Sequence, residues 1–227
     1  MGGRRLMIAG GAGFLGYYLV QSTLAWNRAG HGDAPIRVTV LDNFVRGVPE
    51  WLESLARDSN LEILRHDVSL PLPHTLGDVD YIIHAASIAS PIYYRKFPIE
   101  TMDANVNGLR YMLDYCVNRR SGGQPVSGVL FYSSSEIYGD PTPDDIPTPE
   151  TYRGNVSCTG PRACYDESKR YGETLCVNFA RQHGVPVKVA RPFNNYGPGL
   201  KITDGRVIPD FARNVLGGDD IVMLSDG

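Results

Sequence analysis

The chain has 227 residues, with 22 Lys and Arg against 25 Asp and Glu and a formal net charge of -3. That length fits one large domain or one and a half, and the apolar and charged fractions are ordinary for a globular protein. The near balance of charge offers no basic field for nucleic acid or an anionic membrane surface. Cys116, Cys158, Cys164 and Cys176 contain no Cys-x-x-Cys pair, so they read as reduced thiols of a cytoplasmic protein and not as a disulfide framework or metal site.

Arg4-Arg5 ahead of an apolar run looks at first like an export signal. Glycines at 10, 11, 13 and 16 interrupt that run, and a strand at 5–9 entering a glycine turn and a helix at 14–28 explains it better. Further strands are expected at 37–41, 61–65, 81–84, 129–132 and 187–190. Further helices are expected at 49–57, 99–118, 163–182 and 207–216, with Pro98 suited to a helix start. The strands are mostly unalternating and rich in Val, Ile and Leu, as strands covered on both faces are. Alternation of strand and helix predicts an α/β fold, a doubly wound parallel Rossmann sheet with right-handed crossovers. Residues 140–149, rich in Pro, Asp and Thr, read as a surface loop. A strand-like run at 221–224 is followed by a turn at 225–227. No stretch is long and apolar enough to span a membrane.

The segment Gly10-Gly11-Ala12-Gly13-Phe14-Leu15-Gly16 lies between the first strand and the first helix. In that context Gly10, Gly13 and Gly16 serve the tight turn, the backbone's approach to a pyrophosphate and helix–strand packing. Phe14 and Leu15 open the helix whose unpaired N–H groups face the phosphates. Asp42, followed by Asn43, closes the second strand, where a carboxylate accepts ribose hydroxyls and repels a 2′-phosphate. This favours NAD over NADP, although Arg46 stands close enough in sequence to meet a phosphate. Asp67, followed by Val68, comes after the third strand and reads equally as an adenine contact or an Asp turn. Ala85, Ala86 and Ser87 are small where bulk would block a dinucleotide.

Tyr165 and Lys169 are four residues apart and share one helical face. A free phenol has a pKa of about 10 and is a poor base at neutral pH; a neighbouring ammonium favours the phenolate. The pair suits removal of a proton from a sugar hydroxyl while hydride leaves the same carbon. Alone it is a weak signal, since the same spacing decorates many solvated helices.

Taken with Arg65-His66-Asp67-Val68, Ser90-Pro91 with Tyr94, Ser134-Ser135-Glu136, Tyr138-Gly139-Asp140-Pro141, Tyr152 to Val156, Gly160 to Glu167, Arg191 to Pro198 and Asp204 to Val207, these residues resemble the extended short-chain dehydrogenase/reductase family of nucleotide-sugar enzymes. The resemblance covers essentially the whole chain and is strongest to the UDP-glucuronate decarboxylase group. It implies a bound NAD and a nucleotide-sugar substrate. It makes Tyr165 the base, Lys169 the nicotinamide-ribose ligand, Ser134 a second hydrogen bond to the 4-oxygen and Glu136 an acid/base. It places Tyr94, Asn194 and Arg206 against substrate, treats Asn105 as structural, and pairs helices 99–118 and 163–182 in a homodimer. It divides the chain into a dinucleotide domain at 1–192 and the beginning of a substrate region at 193–227, and implies that family members continue further. Ser134 departs from the Thr usual there but keeps the hydroxyl. A 4,6-dehydratase, a 4-epimerase and a non-catalytic NAD-binding protein are the competing readings.

Overall fold

A computed structural model describes residues 2–223. Six strands form one parallel sheet: β1 (Arg5–Ala9), β2 (Arg37–Asp42), β3 (Leu61–Arg65), β4 (Tyr81–His84), β5 (Gly128–Tyr132) and β6 (Val187–Ala190). Their order is β3-β2-β1-β4-β5-β6, the doubly wound order with its reversal between β1 and β4. Flanking helices are α1 (Phe14–Arg28), α2 (Glu50–Leu55), α3 (Pro91–Lys96), α4 (Pro98–Ser121), α5 (Ala163–His183) and α6 (Val207–Gly217).

The central strands are apolar on both faces because each face carries a helix layer, while the edge strands β3 and β6 stay partly exposed. Along β1, Leu6 and Ile8 pack with Val20 and Leu24 of α1 and Leu52 of α2. Met7 and Ala9 face the other way, into Leu109, Met112 and Leu113 of α4 and Cys176 and Phe179 of α5. The period of two along a strand therefore feeds two cores, and no polar face is left to give alternation. Each fully buried Leu or Phe stabilises the fold by about 1.5–3 kcal/mol. Pro98 starts α4 at its first turn. Gly184 ends α5 in a left-handed conformation at φ 65°, which a side chain would resist.

The structure departs from the sequence expectation in several places, among them α4, which runs on to Ser121 beyond the expected 118. A short helix, α3, follows Ser90, where only a motif was visible. Single 3₁₀ turns occupy Ser135–Tyr138 and Pro143–Asp145; each is too short for a periodic pattern to form. The run expected as a strand at 221–224 is irregular over 221–223, and its remainder, with the turn at 225–227, lies outside the described residues. Finally, α2 is shorter than the predicted 49–57.

Candidate active site

The glycine turn crosses directly over the end of β4. Gly10 adopts φ +77°, and a Cβ there would lie 2.5 Å from the Ala86 backbone. A Cβ on Gly16 would lie 2.3 Å from the Gly11 carbonyl oxygen, and one on Gly11 would press into Val40. Gly13 N donates to the Gly10 carbonyl at 3.1 Å and begins α1. Among the described residues α1 has no side-chain cap, and its first turn holds no acidic residue. Its leading N–H groups, at Phe14 and Leu15, are thus available to an anion beside a cradle with no side chains. These features fit a dinucleotide pyrophosphate.

Asp42 is held by two backbone donors, Ala12 N at 3.1 Å and Phe44 N at 2.9 Å. It therefore ties the glycine turn to the end of β2. Burial raises its pKa, partly offset by those bonds. Asp67 receives Ser69 N at 2.9 Å and Ser69 Oγ at 2.7 Å, while its second oxygen takes Asn43 Nδ2 at 3.1 Å. The Asp-turn geometry is present, and Asn43 links the two loops at the adenosine end. Val68 is buried beneath Gly108 of α4, where a Cβ would come within 3.1 Å. Ala85 N pairs with the Ala9 carbonyl at 2.9 Å, which brings β4 close to β1.

Ser134, Tyr165 and Lys169 come together at the ends of β5 and α5, and all three are buried. Lys169 Nζ donates to the Tyr132 carbonyl at 2.7 Å and lies 5.8 Å from the Tyr165 ring centroid. Burial, not pairing, dominates both groups. It pushes the Lys169 ammonium down to about 7. It raises the Tyr165 phenol, with the Ser134 hydroxyl and the Arg206 charge pulling the other way. Lys169 is itself desolvated and directed at the sheet. Asn105 Nδ2 donates to Ser168 Oγ at 2.9 Å, and Ser168 Oγ donates to the Tyr165 carbonyl at 2.9 Å. Asn105 thereby fixes α4 to the turn of α5 that bears the pair.

Glu136 contacts Arg162, whose Nε stands 3.6 Å from Oδ2 of Asp166. Asp166 is buried, and desolvation raises its pKa against the pull of Arg162. Tyr94 is also buried, its ring stacked on Tyr165 with centroids 5.2 Å apart and planes 15° from parallel. Arg206 pairs with the buried Asp204, and Asn194 is exposed after β6. Arg191 braces the surrounding loops: it grips Glu173 at 2.7 and 2.9 Å, the Tyr138 hydroxyl at 2.9 Å and the Glu150 carbonyl at 2.7 Å.

Sequence reasoning missed Arg162, Asp166, Asp204 and His84. Arg162 and Asp166 were legible as an i, i+4 pair flanking Tyr165. His84 was legible as a polar residue in an apolar strand. It is fully buried against Phe131, 5.7 Å between ring centroids, and burial beside Lys169 lowers its pKa to about 3.

The family model described as NAD dependent epimerase/dehydratase matches residues 6–227. The chain belongs to that family. NAD dependence is the family's defining property, and the glycine cradle, the open start of α1 and Asp42 fit that cofactor. UDP-glucuronic acid decarboxylase 3 of Arabidopsis thaliana is 40% identical over 98% of this chain and 60% of its own length. A UDP-N-acetylglucosamine 4-epimerase from Methanobrevibacter ruminantium, solved with UDP-N-acetylmuramic acid, superposes with a TM-score of 0.82 at 26% identity, covering 100% of this chain and 67% of the other. The dTDP-glucose 4,6-dehydratase DesIV from Streptomyces venezuelae, solved with NAD and TYD, gives 0.77 at 26% identity, covering 98% and 65%. The chain thus spans about 60% of the length of the Arabidopsis decarboxylase. Among the described residues no helix is long and apolar enough to cross a membrane.

Proposed function

We propose that this protein acts on a nucleotide sugar, and that its reaction is decarboxylation of UDP-glucuronate to UDP-xylose through a 4-keto sugar. The observation that carries this reading is the convergence of Tyr165, Ser134 and Lys169 beside the glycine cradle, in a chain 40% identical to a UDP-glucuronic acid decarboxylase. NAD supplies a reversible hydride acceptor at the sugar C4.

Tyr165 takes the proton of the 4-hydroxyl, assisted by the Ser134 hydroxyl and the positive field of Arg206. Lys169, whose Nζ is held by the Tyr132 carbonyl, would hold the nicotinamide ribose with its remaining hydrogens once that cofactor is bound. The 4-ketone stands β to the C5 carboxylate, so the C–C bond breaks with its electron pair moving onto the ketone oxygen as an enolate. Carbon dioxide leaves, a proton returns to C5, and C4 takes back the hydride while Tyr165 returns the proton to the 4-oxygen, which gives the pentose. Glu136, in contact with Arg162, is the acid/base for that proton. Tyr94 supports the Tyr165 ring from beneath. Asn194 and Arg206 face the nucleotide, and residues 193–227 begin the substrate region. A homodimer through α4 and α5 belongs to the same reading, supported by the exposed Met102, Tyr171 and Val177 on those helices.

The test is incubation of the full-length gene product with UDP-glucuronate. Carbon dioxide and a UDP-pentose are expected. A 4-keto-6-deoxy sugar formed from a nucleotide hexose, with UDP-glucuronate untouched, replaces the reading with a 4,6-dehydratase. Epimerised hexose replaces it with a 4-epimerase, and NAD binding with no turnover of any of these replaces it with a non-catalytic binder.

A further inference from the structure

Arg46 lies four residues past Asp42, in the loop leaving β2, where an arginine accommodates the 2′-phosphate in NADP-binding folds. In this fold it is turned elsewhere. Its guanidinium lies over the Tyr93 ring of α3, 5.3 Å from the centroid, with Nη1 3.6 Å from Oδ2 of Asp204. Asp204 is 1% exposed, and its other oxygen binds Arg206. The segment is fastened twice more: Ser90 Oγ donates to the Asp204 carbonyl at 2.7 Å, and Lys201 Nζ donates to the Arg46 carbonyl at 2.9 Å. A buried carboxylate that loses one of its cations is left as poorly compensated charge, so Asp204 resists letting Arg46 go. The other guanidinium near the end of β2, Arg65, stacks over Phe44 at 5.2 Å, with Nη1 3.5 Å from the Asn43 carbonyl.

We infer that Asp204 is a determinant of cofactor choice: by holding Arg46 against α3 it withholds the cation that a 2′-phosphate needs, and so enforces NAD together with Asp42. The assignment is independent of which sugar the enzyme takes. It also places one carboxylate between the cofactor side, through Arg46, and the substrate side, through Arg206.

The experiment is titration calorimetry of the nucleotide-free full chain with NAD⁺ and with NADP⁺. Arg46→Ala is expected to leave NADP⁺ affinity unchanged, because Arg46 is already committed. Asp204→Asn frees Arg46 and is expected to raise NADP⁺ affinity relative to NAD⁺ roughly tenfold, the worth of one charged hydrogen bond. Adding Arg46→Ala to Asp204→Asn is expected to cancel that gain. A several-fold loss of NADP⁺ affinity in Arg46→Ala overturns the inference, since Arg46 would then already serve the phosphate. So does an unchanged NADP⁺/NAD⁺ ratio in an Asp204→Asn protein with native circular dichroism. If Asp204→Asn does not fold, the double variant Asp204→Asn/Arg206→Gln, which removes both charges of the Asp204–Arg206 pair while still releasing Arg46, is titrated in its place: a raised NADP⁺/NAD⁺ ratio supports the inference and an unchanged ratio overturns it.

Discussion

Lys169 donates its Nζ hydrogen to the carbonyl of Tyr132, the last residue of β5, at 2.7 Å. The lysine of the Tyr-Lys pair is therefore anchored to the sheet, beneath Tyr165, and is almost wholly buried. Its position relative to the reacting carbon is set by β5 as much as by α5.

That burial gives a pH signature in the nucleotide-free protein. Lys169 has a folded pKa of about 7, below the ordinary 10.5. Between those values the unfolded chain holds a proton that the folded one does not, so stability rises with pH across this window. Below pH 7 the full penalty is present. Lys169→Met removes the penalty but leaves the Tyr132 carbonyl unpaired. We expect net stabilisation of about 2 kcal/mol at pH 7, shrinking towards pH 9.5, read by urea denaturation at both pH values. A variant less stable than the parent at pH 7, or a gap independent of pH, counts against it.

Tyr165→Phe keeps the stack on Tyr94 and removes the proton acceptor. NAD binding should survive, while oxidation of the sugar falls by about 10²–10⁴-fold, the usual range for a general base. Single-turnover absorbance of reduced nicotinamide reads the loss. Full turnover in the variant excludes Tyr165 as the base.

Gly10→Ala places a methyl group 2.5 Å from the Ala86 backbone at a φ of +77°. Neither strand end can yield without breaking the β1–β4 ladder. We expect a loss of about 2–4 kcal/mol from overpacking and backbone strain together. Gly47→Ala, where the added Cβ has open space at a similar φ, isolates the strain contribution and should cost clearly less. Equal losses in the two variants mean that the crossing with β4 is not the constraint.

Arg162→Gln strips Asp166 of its counter-charge while leaving it desolvated. The Asp166 pKa, already raised by burial, should rise further. A carboxyl whose folded pKa exceeds its unfolded value contributes stability at low pH that is lost as pH rises through the folded pKa. The variant should therefore match the parent near pH 4 and fall about 1–3 kcal/mol below it at pH 7. Thermal unfolding at the two pH values checks the sign. A deficit that is larger at pH 4 refutes the pairing.

Much of the fold was legible because its causes are local. Six apolar runs bounded by glycine, proline and polar residues appear as the six strands, and one expected run, 221–224, does not hold over its described part. The glycine turn was legible for the same reason: strand, turn and helix are contiguous. What failed was short or context-dependent. α3 has six residues, fewer than two turns, and gives no periodic signature. The burial of Lys169 and Tyr165, which pushes the ammonium down and the phenol up, was not legible, because desolvation is an energy that a sequence does not carry.

By itself the sequence determined the parallel α/β order, the glycine cradle, and the residue types of the Tyr-Lys pair, because backbone propensity and apolar period act over neighbouring residues. The tertiary structure alone decided which charges meet. Arg46 and Asp204 are separated by 158 positions yet stand 3.6 Å apart, and Asn105 reaches Ser168 across 63. The first contact depends on how loops at the C-terminal edge of the sheet fold over one another, the second on how α4 packs against α5. Electrostatic energy there is governed by distance and burial, neither of which is a property of any single segment of chain.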